Sequence, residues 1–216
     1  MSGAVAAGAG SRPGGPELRV TVFTDYICPF CYVGDARLNR LRAEFDLKVN
    51  WCFLEIHPET PGRGRAVQEL GYSQERWEQM MEALGELARA EGLVLARHDR
   101  TTNSHGALLL AEAAKDAGAA LFYRVHRRLF EAYFAERRNI ADGAVLRSIA
   151  ESAGLASEVV ERAWRESAYE RRLLQYRAAA RELRITATPT FFIGERRLEG
   201  VQPVTAFFEA ARAAVA

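Results

Sequence analysis

Cysteine is scarce in this sequence, and the three cysteines that occur are Cys28, Cys31 and Cys52. A structural disulfide framework needs more cysteines, in even numbers, so this odd set favours redox chemistry or metal binding. Long apolar runs are also missing, since no stretch of the sequence reaches the roughly 18 residues typical of a transmembrane helix. The formal net charge is only +1, which gives no indication of binding to nucleic acid or to an anionic membrane.

The first 17 residues lack the basic start and the Leu-rich apolar core of a secretory signal. They are rich in Gly, Ala and Pro, so we predict a disordered tail over residues 1–17 and a cytoplasmic location. The composition is that of a globular protein, because 49% of the residues are hydrophobic and 26% are charged. A chain of 216 residues can bury a large core without disulfides or a structural metal.

The segment 18–65 predicts a strand, a helix and a second strand. Leu18 to Thr24 is rich in β-branched residues and alternates, which is typical of a strand. Pro29 suits the first position of a helix, where its missing N–H costs nothing. Residues 47–56 alternate again. A β–α–β order predicts parallel strands joined by a right-handed crossover.

Residues 66–165 show helical periodicity, interrupted at Gly92, Gly118 and Gly154 and capped at Asp142. A last long helix is predicted from Ser157 to about residue 183. A hairpin and a final helix follow. The pattern therefore predicts an α/β domain formed by residues 18–65 and 166–216, interrupted by an all-helical insertion over residues 66–165.

The sequence Cys28-Pro29-Phe30-Cys31 lies where the first strand gives way to its helix. Thiolates, not thiols, carry out disulfide exchange, and the N-terminus of a helix stabilises negative charge. This position predicts Cys28 as the nucleophile and Cys31, one turn further on, as the resolving cysteine. Two alternatives remain open: both thiols could be plain core residues, or a zinc ion could recruit Cys52 and His57.

A second element, Thr188-Pro189-Thr190, directly precedes the apolar strand of the hairpin. With the CxxC opening, it resembles the DsbA-like family of thioredoxin-fold oxidoreductases, and specifically a cytosolic FrnE-like branch. The residues that carry the resemblance span Asp25 to Gly34, Trp51 to Pro58, Leu129 to Phe134 and Gly200 to Pro203. The resemblance covers about residues 18–216, nearly the whole chain outside the tail.

This resemblance implies a thioredoxin fold with a helical insertion. It also implies that Pro189 is cis, faces the cysteines and helps to hold an extended substrate, with Thr188 beside it. We further expect Pro29 and Phe30, within the motif, to contact substrate. Because Phe30 cannot donate a hydrogen bond or a positive charge, Cys28 should be less acidic than in relatives with a basic residue there.

Other candidate residues have both a functional and a plain structural interpretation. His57 could line the substrate pocket or lie in a solvated loop, and Asn103 could line the groove or cap a helix. Asp25 is interpreted as a turn residue, with a buried carboxylate for proton transfer as the alternative. Cys52 is predicted to be a buried free thiol, with an auxiliary redox role as the alternative. His98, His105 and His126 are predicted to be surface or capping residues.

We therefore predict a thiol–disulfide oxidoreductase that uses no metal or organic cofactor. Its partners would be thiols or disulfides of proteins or peptides, with glutathione as a further candidate, and the protein would be a monomer or a homodimer. The alternative is a glutathione-dependent enzyme, which resembles 2-hydroxychromene-2-carboxylate isomerase or the kappa-class glutathione transferases. Those relatives carry Ser in place of the first Cys, whereas both cysteines are present here.

Overall fold

A computed structural model describes residues 14–71 and 73–216 of the chain. The helices are α1 (Pro29–Arg40), α2 (Gln74–Ala90), α3 (His105–Asp116), α4 (Ala119–Phe134), α5 (Gly143–Ser152), α6 (Ser157–Arg165), α7 (Ser167–Glu182) and α8 (Val204–Val215). The strands are β1 (Glu17–Thr24), β2 (Asp46–Phe53), β3 (Arg65–Ala66), β4 (Arg100–Thr101), β5 (Thr190–Ile193) and β6 (Arg196–Glu199). Most of the predicted tail lies outside the described residues, and β1 already begins at Glu17.

The four long strands form one sheet in the order β2-β1-β5-β6. Strands β1 and β2 are parallel and in register from Glu17 opposite Asp46 to Thr24 opposite Phe53, and α1 connects them. Strand β5 pairs antiparallel with β1 and then with β6. The predicted β–α–β opening and the closing hairpin and helix are confirmed, and together they give the thioredoxin topology.

Two predictions about the middle of the chain are wrong in detail. The insertion is not all-helical, because β3 pairs antiparallel with β4 and places Arg65 opposite Thr101. Strands of two residues are too short to show a period in the sequence. The predicted long helix from Ser157 is two helices, since Glu166 has an extended ψ of 113° between α6 and α7. The apolar spacing continues across this break, so periodicity alone does not reveal it.

The insertion and the sheet share one core. A continuous cluster of buried residues runs from Val20 and Trp51 in the strands to Leu110 of α3, Phe130 of α4 and Leu146 of α5. The other face of the sheet is covered by α7, where Phe23 and Cys52 pack against Ala180 in a separate cluster. The start of α1 directly follows the end of β1, and it packs in the cluster that includes the insertion. Among the described residues, none of the helices is long and apolar enough to cross a membrane.

Candidate active site

Cys28 is the N-cap residue of α1, in an extended conformation with φ −86° and ψ 112°. Its carbonyl accepts hydrogen bonds from the backbone N–H groups of Cys31 at 3.0 Å and Tyr32 at 3.3 Å. Pro29 occupies the first turn, as expected, because that position needs no N–H donor. The sequence thus places the first cysteine where the unpaired N–H groups of the helix are concentrated.

Both cysteines are free thiols and both are buried, with 4% of Cys28 and 1% of Cys31 exposed. Burial raises the pKa of Cys28, but hydrogen bonds with the side chains of Cys31 and Thr188 outweigh it, so the net pKa lies below the ordinary value of 9.0. Burial, and then the interaction with Cys28, raises the pKa of Cys31. The thiol that ionises more readily is therefore Cys28, at the helix terminus.

The loop before β5 contacts Cys28 directly. The Thr188–Pro189 peptide bond is cis, as the resemblance implied, and the Thr188 carbonyl accepts a hydrogen bond from Cys28 Sγ at 3.4 Å. Helix α1 approaches this loop through Gly34, where an added Cβ would lie 2.9 Å from Pro189 Cγ and 3.0 Å from Phe191 Cζ. Sequence reasoning did not single out Gly34, because a glycine inside a helix carries no signal of what packs against it.

Asp25 is fully buried rather than a simple turn residue. Its carboxylate accepts hydrogen bonds from the backbone N–H groups of Ile56 at 2.9 Å and Ile27 at 3.3 Å, and from the Ser104 hydroxyl at 3.0 Å. Burial raises its pKa from 3.8 to about 7, despite these three hydrogen bonds. The preferred turn interpretation is therefore incomplete, and Asp25 meets the burial condition of the proton-transfer alternative.

The prediction that His126 is a surface or capping residue is wrong. Its ring is 2% exposed, and its Nδ1 lies 2.7 Å from the Tyr26 hydroxyl, while its Nε2 lies 3.3 Å from an oxygen of Asp35. The ring centroid also lies 4.2 Å from that of Trp51. These buried polar contacts connect α4, through His126, to the turn before Cys28 and to helix α1. The available signal was the position of His126 on the apolar stripe of α4, four residues after Phe122 and three before Leu129.

A cavity of about 260 Å³, here called the apolar cavity, opens beside Cys28. Cys28, Pro29, Phe30, His57 and Thr188 line it on the side of the thioredoxin topology. The insertion contributes mainly large apolar side chains: Val67, Leu70, Trp77, Met80, Met81, Tyr133 and Phe134. His98 also lines this cavity, 4.7 Å from the Tyr133 ring, so it is not a plain surface residue.

A second cavity, of about 470 Å³, lies between β2, α7 and the loop before Pro189. Thr188 and Ile56 line both cavities. The charged residues in the lining of the second cavity are Glu55, Arg177 and Arg181, and we call it the cationic cavity. Sequence reasoning missed it, because its walls come from segments more than a hundred residues apart.

His57 and Asn103 are placed differently from one another. His57 lines the apolar cavity, and burial lowers its pKa from 6.5. Asn103 lines neither cavity: its amide donates to the carbonyls of Pro58 and Thr60, and its oxygen accepts from the His105 N–H at the start of α3. Asn103 thus precedes Ser104, the N-cap residue of α3, and its side chain binds the first N–H of that helix, which is nearer to the capping interpretation than to the groove.

His105 lies between two carboxylates and is neither a simple cap nor a free surface residue. Its Nδ1 is 3.0 Å from Glu55 and its Nε2 is 2.7 Å from Glu170. Hydrogen bonding to these carboxylates raises its pKa from 6.5 to about 9. It therefore joins the end of β2, the start of α3 and the start of α7.

Cys52 is buried on the α7 face of the sheet, within a different cluster from the active-site cysteines. Burial raises its pKa to about 11, which makes it a poor nucleophile. The zinc alternative needs Cys52 beside Cys28, Cys31 and His57, and the fold does not bring it there. Among the described residues, no group of three or more His, Cys, Asp or Glu side chains is arranged to hold a metal ion.

The sheet order and a CxxC pair at the start of the helix that follows β1 place the chain in the thioredoxin class of folds. Within that class, the DSBA-like thioredoxin domain matches residues 19–211, and the chain belongs to this family. The family resemblance inferred from the motifs is thereby confirmed, and the FrnE-like branch is consistent with it.

Three relatives illustrate the range of this fold. The chain is 29% identical to the uncharacterized protein YwbO of Bacillus subtilis (strain 168) over 190 residues, which is 85% of this chain and 90% of the relative. The crystal structure of a probable DsbA oxidoreductase, SCO1869 from Streptomyces coelicolor, has a TM-score of 0.81 and 28% identity, covering 92% of this chain and 90% of that one. A structure of 2-hydroxychromene-2-carboxylate isomerase has a TM-score of 0.70 and 20% identity over 90% and 93% of the two chains, which shows a shared fold alone.

Proposed function

We propose that this protein is a thiol–disulfide oxidoreductase that acts through Cys28 and Cys31. The observation that carries the proposal is the unequal environment of two free thiols at one helix start. Cys28 is the N-cap and has a lowered pKa, whereas Cys31 is deeper and has a raised pKa. A thiolate that forms easily, with a second thiol one turn behind it, is what disulfide exchange requires.

In the reducing direction, the Cys28 thiolate attacks one sulfur of a substrate disulfide. A mixed disulfide forms, and the other substrate sulfur leaves as a thiolate that takes up a proton. The Cys31 thiolate then attacks Cys28 Sγ, which forms the Cys28–Cys31 disulfide and releases the second substrate thiol. Two electrons pass from the protein dithiol to the substrate, and the reverse sequence oxidises a substrate dithiol.

The second step requires Cys31 to lose its proton while buried. Asp25 is the candidate acceptor, because its carboxyl is buried beside the pair and its pKa of about 7 allows it to exchange a proton near neutral pH. We propose that Asp25 takes this proton, directly or through a water molecule. The substrates proposed are thiols and disulfides of proteins or peptides, and the proposed compartment is the cytoplasm.

The test is insulin reduction in the presence of dithiothreitol, measured for the wild type and three single variants. Cys28→Ser should lose the activity, and Cys31→Ser should lose turnover and accumulate a mixed disulfide visible by mass spectrometry. Cys52→Ala is the matched control, because Cys52 packs on the other face of the sheet, and it should retain activity. Undiminished activity of Cys28→Ser would overturn the proposal.

The glutathione-dependent alternative predicts a different set of results. An enzyme that only activates bound glutathione needs no resolving thiol, so Cys31→Ser would remain fully active in glutathione conjugation or isomerisation. The pair of free thiols favours the disulfide proposal, and parallel assays of the same variants separate the two activities.

A further inference from the structure

The two cavities meet at the residue that contacts the reactive thiol. Thr188 lines both cavities, and its carbonyl lies 3.4 Å from Cys28 Sγ. A group bound covalently to Cys28 therefore has the apolar cavity on one side of Thr188 and the cationic cavity on the other. An extended peptide advances about 3.3 Å per residue, so the residues before and after a bound cysteine lie about 7 Å apart along the chain and can reach different cavities.

The charged side chains that line the cationic cavity are one carboxylate and two guanidinium groups, so they do not neutralise one another. Glu55 accepts hydrogen bonds from Arg177, at 3.2 Å, and from His105, at 3.0 Å. His105 is in turn bonded to Glu170 at 2.7 Å. Glu55, the one acidic residue among the described residues that line this cavity, is thus already paired with cations.

Arg181 is the cation of this cavity that remains available. It lies one helical turn after Arg177 on α7 and its side chain is exposed at the cavity. Within the described part of the chain, its guanidinium has no hydrogen-bond or ion-pair partner. An arginine without a partner, at the rim of a cavity next to a reactive thiol, is suited to bind a carboxylate.

From this arrangement we infer that Arg181 selects substrates that carry a carboxylate close to the reacting sulfur. The inference rests on the proposed exchange at Cys28 and adds a substrate preference to it. The carboxylate has two natural sources: an acidic residue next to the cysteine of a peptide, or a small acidic thiol such as glutathione. In either case, Arg181 contributes to binding and takes no part in the transfer of electrons.

The experiment compares peptides with a single cysteine held as a mixed disulfide with 2-mercaptoethanol, a neutral thiol. Glu or Gln is placed immediately before or immediately after the cysteine, and the rate constant for reaction with the reduced protein is measured. An exposed ion pair is worth enough for a preference of about 1.5- to 5-fold for Glu over Gln. The preference should occur in only one of the two positions, because Arg181 lies on one side of Thr188, whereas Arg100 in the apolar cavity already donates to the carbonyls of Arg63 and Gly64.

Arg181→Gln should abolish the preference, and Arg181→Glu should reverse it in favour of a peptide with Lys at that position. Arg184→Gln is the matched control, because Arg184 is also exposed and lines neither cavity. The preference of the wild type should also decrease at high ionic strength, where exposed charges are screened.

Glutathione disulfide is tested in parallel to identify the source of the carboxylate. If only the rate constants for the peptides depend on Arg181, the natural substrate is an acidic peptide. If only the rate constant for glutathione disulfide depends on it, the natural substrate is a small acidic thiol. If Gln and Glu peptides and glutathione disulfide all react without dependence on Arg181, the inference is wrong while the exchange reaction stands. If no disulfide reacts with Cys28, the proposed function itself fails.

Discussion

At the scale of single residues, the pKa values of Cys28 and Cys31 differ because the two buried thiols share a hydrogen bond. Burial alone would raise the pKa of both, and the interaction between them lowers the pKa of Cys28 and raises that of Cys31. Phe30 lines the apolar cavity and supplies no charge. The acidity of Cys28 thus depends on Cys31 and Thr188 rather than on the residues between the cysteines.

This dependence leads to a prediction for Cys31→Ala. Removing the Cys31 thiol, which forms a hydrogen bond with Cys28, should raise the pKa of Cys28 towards or above its ordinary value of 9.0. Titration of thiolate absorbance near 240 nm measures the shift, with Cys52→Ala as a control for loss of a buried thiol elsewhere. An unchanged titration of Cys28 in Cys31→Ala would show that the helix terminus alone sets its pKa.

Asp25 makes stability depend on pH in a direction opposite to that of most carboxylates. Its pKa in the folded protein, about 7, lies above its ordinary value of 3.8, so the folded state binds more protons between these values. The free energy of unfolding should therefore fall as pH rises from about 4 to about 7. For a fully buried group, this shift corresponds to up to about 4 kcal/mol.

Asp25→Asn should remove this dependence of the free energy of unfolding on pH. The difference in free energy of unfolding between wild type and Asp25→Asn, measured by urea denaturation, should change by up to about 4 kcal/mol between pH 4 and pH 8. Asp142→Asn, at the exposed N-cap of α5, controls for the substitution itself. Parallel stability curves for wild type and Asp25→Asn would contradict the raised pKa.

At the scale of elements, helix α1 and the Pro189 loop approach each other so closely that a side chain at Gly34 would force its neighbours to shift. A Cβ at Gly34 would contact Pro189 and Phe191 at 3.0 Å or less, whereas a Cβ at Gly85 in α2 would meet nothing within 4 Å. Both glycines lie within helices, where Ala is otherwise favoured by about 1 kcal/mol.

The two positions should therefore respond in opposite ways to alanine. Gly85→Ala should stabilise the protein by about 0.5–1 kcal/mol. Gly34→Ala should destabilise it by about 1–3 kcal/mol through overpacking, and should slow disulfide exchange because Pro189 is displaced. Thermal denaturation and insulin reduction measure the two effects, and a stabilised, fully active Gly34→Ala would refute the close approach.

The elements themselves were predictable where they are long. The period of two in β1 and β2, Pro29 at the start of α1 and the Asp142 cap of α5 are local signals, and each is confirmed. The β3–β4 pair and the break at Glu166 were not predictable. The first is too short for any pattern, and the second interrupts the backbone without interrupting the apolar spacing.

At the scale of the whole molecule, His105, in the insertion, links the end of β2 to the start of α7. Because its pKa in the folded protein, about 9, is above the ordinary 6.5, its stabilising effect is complete below pH 6.5 and is lost as pH rises towards 9. The ring is partly exposed, so solvent reduces the size of the effect.

His105→Gln should therefore lower the free energy of unfolding at pH 6 more than at pH 10, as measured by urea denaturation at both values. Glu170→Gln should reproduce part of the loss at pH 6, because it removes one of the two carboxylates that hold the imidazolium. A loss of equal size at both pH values would mean that His105 acts through packing alone.

The sequence by itself determined the CxxC pair, its place at a helix start and the β–α–β opening of the thioredoxin topology. These follow from signals within a few residues: alternation, helical spacing, a proline at a helix start and two cysteines three positions apart. The family was indicated by the resemblance of longer motifs, such as Asp25 to Gly34. Only the tertiary structure decided which polar groups are buried together. Ser104 bonds Asp25 from 79 residues away, and His126 meets Tyr26 from 100 residues away. Burial and pKa depend on such distant neighbours. The position of Arg181 at a cavity wall depends on them too, because a local sequence pattern does not show which residues the fold places next to it.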